Sequence, residues 1–126
     1  MVQITMQVTE RLAQQLEPMS DWLPTILELS LIRFKTPAVQ TASEIMDFLA
    51  SSPTPDGLLN YHVSDRAQER LQRLLVIKQA GLESAEEQAE LDEIGQIAHV
   101  IIMLKAQAHE QTLKKNWHYT FLFLLS

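Results

Sequence analysis

The strongest constraint on the fold is a four-residue connection, residues 81–84, between two long helical segments. Gly81 is the residue type favoured just after a helix C-terminus. Ser84 and Glu87 then have the spacing of a capping box, which opens a helix. Because the connection is so short, the two segments are predicted to pack antiparallel, as a helical hairpin over residues 64–115.

Residues 41–61 are predicted to form short helices and a loop. Thr41 and Glu44 have the spacing of another capping box. Two prolines and a glycine within residues 51–57 mark a loop. Thr54 followed by Pro55 suits the start of one further helical turn.

The N-terminal residues have a different period from the rest of the chain. Residues 2–8 alternate strictly, with Val2, Ile4, Met6 and Val8 on one face and Gln3, Thr5 and Gln7 on the other. Alternation of this kind is typical of a half-buried strand. A short helix ending at Pro18 follows, then a helix that Ser20 or Asp21 is expected to cap, with Pro24 in its first turn. Residues 2–35 are therefore predicted to form a strand-helix-helix unit within a mainly α fold.

The expected domain organisation is one helical domain over residues 1–115, followed by an apolar tail over residues 116–126. The tail is much shorter than the ~20 apolar residues that span a bilayer, so membrane attachment is not expected. We expect the domain to fold without the tail. The chain has no cysteine and no basic-then-apolar leader pattern, which is compatible with a cytoplasmic protein.

No catalytic or metal-binding pattern stands out among the polar residues. The histidines at positions 62, 99, 109 and 118 have no metal-ligand spacing, and no phosphate-binding loop occurs. The acidic residues of positions 83–93 lie in the first turns of a helix, where carboxylates are favourable, and Arg66, Arg70 and Arg73 are expected to face them. The sequence therefore predicts no enzyme, no cofactor and no metal.

Val100 to Leu104 are five consecutive large apolar residues on the second hairpin helix. They cover more than one helix face, so one partner helix cannot bury them all. Either this helix is central in the bundle, or part of it forms a dimer interface. The candidate interface residues are Val100, Ile101, Ile102 and Leu104.

Residues 2–35 resemble ribbon-helix-helix DNA-binding proteins, in which two chains pair N-terminal strands and insert them into the major groove. The resemblance implies that Gln3, Thr5 and Gln7 contact bases. Asp21 and Pro24 depart from the family pattern, since one repels phosphate and the other lacks an N–H. The alternative is an edge strand that packs on its own helices. The net charge is −6, which disfavours general nucleic-acid binding.

Several motifs together resemble a family of small, uncharacterised helical bacterial proteins that are common in photosynthetic bacteria. They are Glu28-Leu-Ser-Leu31, Ala42-Ser-Glu-Ile45, Arg70-Leu-Gln-Arg-Leu-Leu75, Glu90-Leu-Asp-Glu93 and Leu104-Lys-Ala-Gln107. Residues 81–105 are also similar to the C-terminal segment of some antitoxin-like proteins. Two functions follow as hypotheses. The first is a non-enzymatic interaction module, a helical homodimer that binds another protein. The second is an antitoxin-like DNA-binding regulator.

Overall fold

The structure, a computed structural model, describes residues 2–125, with side chains described for residues 2–113. Over that range the chain is mainly helical and contains no strand. The elements in order are α1 (Glu10–Leu16), a 3₁₀ segment (Glu17–Trp22), α2 (Leu23–Leu31), α3 (Val39–Ala50), α4 (Pro55–Leu59), α5 (Asp65–Gln79) and α6 (Ala85–Leu125). The mainly α fold class is thus confirmed.

The hairpin of α5 and α6 forms as predicted, through local signals at both helix ends. Gly81 has φ +72. The N–H of Leu82 donates to the carbonyl of Ile77 at 3.1 Å and that of Gly81 to Lys78 at 2.9 Å, which completes a Schellman motif. On the other side, the Ser84 N–H donates to the Glu87 carboxylate at 2.9 Å, and the Glu87 N–H donates to Ser84 Oγ at 3.1 Å. This reciprocal pair is the predicted capping box.

Two of the other predicted helix starts are wrong, and one is right. Thr41 lies inside α3, which begins at Val39 after an Ala38 N-cap that makes no side-chain hydrogen bond. Neither Ser20 nor Asp21 caps α2, because both lie in the 3₁₀ segment that leads directly into it. Thr54 does cap α4, since its hydroxyl accepts from the Gly57 N–H at 3.0 Å.

The core is built around α6, with α2 and α4 packed on it and with α3 packed on α2 and the 3₁₀ segment. Its buried side chains are Trp22, Leu29, Ala38, Ala42, Ile45, Leu49, Leu58, Ile97, Val100, Leu104 and Ala108. The indole N–H of Trp22 donates to the Pro53 carbonyl at 2.9 Å, so the 51–54 loop is held to the 3₁₀ segment. Lys105 joins α6 to the end of α4 by donating to the Tyr61 carbonyl at 2.9 Å.

Helix α6 runs without a break to Leu125, so the predicted boundary at 115/116 is not the end of an element. The helix is 41 residues long, which is ~60 Å at 1.5 Å per residue. The last buried side chain of the described chain is Ala108. The side chains of the apolar tail lie outside the described residues.

Candidate interaction surfaces

The predicted strand over residues 2–8 is not formed in the single chain. These residues adopt no regular secondary structure, and no backbone hydrogen bond of the described chain reaches them. A strand needs a neighbouring strand to pair with its N–H and C=O groups, and the described chain supplies none beside residues 2–8. The alternative of an edge strand packed in its own chain is therefore also wrong.

The apolar face of this segment lies open to solvent. Val2 is 92% exposed, Ile4 81% and Met6 65%. Helix α1, which follows, has no buried residue. The segment and the outer side of α2 line one cleft of about 640 Å³, here called the N-terminal cleft. Its lining residues are Val2, Ile4, Thr5, Met6, Val8, Leu16, Ser20, Leu23, Pro24 and Leu27.

The polar residues of the same segment are exposed as well. Gln3, Thr5 and Gln7, the candidate DNA-contacting residues, all reach solvent, and Thr5 also lines the N-terminal cleft. None of the three makes a side-chain hydrogen bond within the described chain. They are accessible, but a single chain contains only half of a two-stranded ribbon.

The apolar run on α6 is divided between the core and the surface. Val100 is 4% exposed and Leu104 3%, so both are buried in the chain's own core and the expectation that they form a dimer interface is wrong for them. Ile101 packs half-buried against that core. Ile102, at 65% exposed, and its neighbour Met103 are the members that remain on the surface. The helix is therefore central in the bundle for the buried members of the run, and a dimer interface stays a prediction for the exposed ones.

The acidic residues near the start of α6 have structural partners. Glu90 is buried and accepts from Arg70 Nε at 2.8 Å and from Arg70 Nη2 at 3.0 Å. This hydrogen bond raises the pKa of Arg70. Arg66 does not face this cluster, because it pairs with Glu44 of α3 at 3.1 Å. The Ser84 cap lowers the pKa of Glu87, since the backbone N–H and then the hydroxyl stabilise its charged form.

Glu93 is a structural residue that the sequence does not reveal. Its buried carboxylate accepts from the Lys35 N–H at 3.1 Å, the Thr36 N–H at 3.2 Å and the Thr36 hydroxyl at 2.9 Å. One side chain of α6 thereby accepts the hydrogen bonds of the backbone N–H groups in the turn between α2 and α3. The sequence suggested only that a carboxylate is favourable in the first turns of a helix.

A mixed-charge cleft of about 600 Å³ lies beside these ion pairs, and Lys35, Arg70, Glu86, Glu87 and Glu90 are among its lining residues. Its one buried carboxylate among these, Glu90, is already bound by Arg70. In the described part of the chain no three histidine, aspartate or glutamate side chains are grouped to hold a metal ion. The described residues also include no helix apolar and long enough to span a bilayer. His99 and His109 are exposed on α6.

No family model, no curated protein and no solved structure matches this chain. The resemblances to the bacterial family, to antitoxin-like segments and to ribbon-helix-helix proteins therefore stay predictions.

Proposed function

We propose that this protein is a non-catalytic interaction module, a helical homodimer that binds another protein through the N-terminal cleft. The observation that carries the proposal is the exposed apolar face of residues 2–8 beside α2. Contiguous apolar surface on a soluble domain marks a contact site, since leaving it in water is unfavourable. The absence of cysteine agrees with a cytoplasmic setting, which belongs to the same proposal.

The backbone of the segment favours an extended partner. Residues 2–8 have unpaired N–H and C=O groups within the described chain, and apolar side chains alternate along them. A partner strand that pairs with this backbone satisfies both features, because main-chain hydrogen bonds then supply affinity and the alternating side chains supply specificity. Leu16, Leu23 and Leu27 line the same cleft beside this segment.

Homodimer formation is supported by apolar residues that lie apart from the cleft. Ile102 and Met103 are exposed on the outside of α6. Light scattering at micromolar concentration is expected to give twice the 14.4 kDa mass of one chain. A mass of one chain over the whole concentration range contradicts the homodimer.

Partner binding is tested by a pair of matched double variants in the same segment. Ile4→Ser with Met6→Ser removes apolar side chains, whereas Gln3→Ser with Gln7→Ser changes only the opposite polar face. In purifications from the native host, the first variant is expected to lose a co-purifying protein that the second retains. Equal recovery of that protein with both variants contradicts binding through the cleft.

The second candidate function is sequence-specific DNA binding by an N-terminal ribbon of two chains. It is favoured by the exposure of Gln3, Thr5 and Gln7, which leaves their amide and hydroxyl groups accessible. The same variants separate the candidates, because loss of Gln3 and Gln7 is expected to cost about 1–3 kcal/mol per lost base contact. If no DNA from the protein's own promoter region binds even at low salt, this second candidate is eliminated.

A further inference from the structure

The outside of α6 carries a regular stripe of exposed residues directly opposite its buried face. The stripe is Gly95, His99, Ile102, Ala106, His109 and Leu113. Their spacings alternate between four and three residues, which is the repeat by which two helices remain in contact along their length. Six such positions extend over ~27 Å of helix. We call them the α6 stripe.

All six positions are exposed, although α2 flanks the stripe on one side, where Gly95 and His99 line a cleft with Glu28 and Ile32. Ile102 is 65% exposed and Leu113 50%. A Cβ placed on Gly95 would meet no atom within 4 Å, so the helix is open there. The core uses a different face of the same helix, formed by Ile97, Val100 and Leu104. A second helix can therefore approach the α6 stripe without disturbing the fold.

Two copies of the α6 stripe fit each other in side-chain size when the two helices run antiparallel. In an antiparallel pair centred beside Leu104, Gly95 of one copy faces Leu113 of the other, and Ile102 faces Ala106. The large aliphatic side chains, Leu113 and Ile102, then lie opposite the small residues Gly95 and Ala106, which is the arrangement that lets two helix surfaces interdigitate. His99 faces His109 in the same register. A two-fold axis produces every one of these contacts twice.

The distribution of charged residues along α6 also favours the antiparallel orientation. Residues 85–94 carry five acidic residues and no basic one. Glu90 and Glu93 are buried with partners in their own chain, so Glu86, Glu87 and Asp92 are the carboxylates that reach solvent. Positions 114 and 115, which lie opposite residues 94 and 93 in this register, are lysines. Parallel pairing would place two acidic helix starts side by side, which is unfavourable. Antiparallel pairing places the acidic start of one helix near the basic region of the other, and it also opposes the two helix dipoles.

We propose that the α6 stripe packs antiparallel against the α6 stripe of a second copy of this chain. The two-fold axis lies at the level of residue 104. This inference rests on the homodimer in the proposed function and adds its interface and orientation. It leaves the N-terminal cleft of each copy free for a different protein.

Cross-linking tests the orientation, because the chain contains no cysteine of its own. His99→Cys and His109→Cys are prepared singly and together, then treated with a short bismaleimide. Within one helix the two positions are ~15 Å apart along the axis, which is too far for a short reagent. The double variant is expected to give covalent dimers, and each single variant alone is expected to give none. When equal amounts of the two single variants are mixed and exchange chains, about half of the dimers contain one chain of each variant. These mixed dimers are expected to be cross-linked.

A second pair of variants tests the packing. Gly95→Leu puts a large side chain opposite Leu113, so we expect it to weaken dimerisation roughly tenfold. Gly95→Ala is the matched control, since it also favours the helix but adds one methyl group, and it should leave the dimer intact.

The results separate this inference from the proposed function. Cross-linking of the single variants, which indicates a parallel pair, overturns the antiparallel arrangement. A dimer in light scattering that gives no link between positions 99 and 109 overturns the interface while the homodimer stands. If the unmodified chain is a monomer, both the homodimer and this inference are wrong.

Discussion

Residues 2–16 and residues 22–108 contain similar apolar side chains, yet only the second region buries them. Trp22, Leu29 and Ile45 are almost fully buried, whereas the segment before them, including α1, has no buried residue. The two regions differ in whether a neighbouring helix is available to cover their apolar side chains. In the second region each helix has a neighbouring helix to pack on, but in the first the apolar face is left with an open cleft. One region maintains the fold, and the other is available for binding.

The largest expected effect is at Trp22, where the two regions are joined. Trp22→Ala removes a buried indole and should lower the free energy of unfolding by about 4 kcal/mol. Trp22→Phe should cost only about 1.5 kcal/mol, because it loses mainly the hydrogen bond to Pro53. Denaturant unfolding measures both. Leu12→Ala, in the exposed region, is the comparison and should cost less than about 1 kcal/mol. Equal losses at the two sites would contradict the division into two regions.

The next effect is at Glu93, which holds the turn before α3. Glu93→Ala leaves the N–H groups of Lys35 and Thr36 without their acceptor, so we expect a loss of about 3 kcal/mol in thermal or denaturant unfolding. Asp92→Ala, on the exposed neighbouring position, should change stability by less than about 0.5 kcal/mol. An equally small effect for both residues would show that the Glu93 hydrogen bonds contribute little.

A smaller effect is expected at Gly81, which ends α5. Its φ of +72 is a conformation that side chains with a Cβ adopt at a cost. Gly81→Ala should therefore lower stability by about 1.5 kcal/mol, and Gly81→Asn by less, since asparagine tolerates this conformation better. If alanine and asparagine are equally harmful, the cost does not come from the backbone conformation.

The features predicted from the sequence are those with local causes. The hairpin follows from Gly81 and from the pair Ser84 and Glu87, whose hydrogen bonds form within a few residues. The Thr41 prediction was wrong because Glu44 instead accepts hydrogen bonds from Ser64 and Arg66, more than one element away.

The remaining errors and omissions involve distant partners. The indole of Trp22 bonds a residue 31 positions away, and Glu93 bonds one 58 positions away. No periodicity indicates such pairs. The alternation of residues 2–8 predicts that one face suits burial, but it does not identify a partner for that face. For the same reason, the sequence could not divide the run from Val100 to Leu104 between core and surface.

The smallest expected effect is that of deleting residues 2–8. Because these residues bury little and form no backbone hydrogen bond within the described chain, the deletion should change the free energy of unfolding by no more than about 0.5 kcal/mol. It should nevertheless abolish binding of the partner protein. A cooperative loss of stability on deletion would mean that the segment belongs to the fold.

Amide hydrogen exchange on the purified full-length protein tests the separation of fold from binding surface most directly. We predict that the amides of residues 2–8 exchange as fast as those of an unfolded peptide, while those of α3 and of α6 near Ile97 to Leu104 are strongly protected. Protection of residues 2–8 comparable with that of these helices would contradict the account. Such protection would instead indicate that the segment is already paired in the isolated protein, as a two-chain ribbon requires.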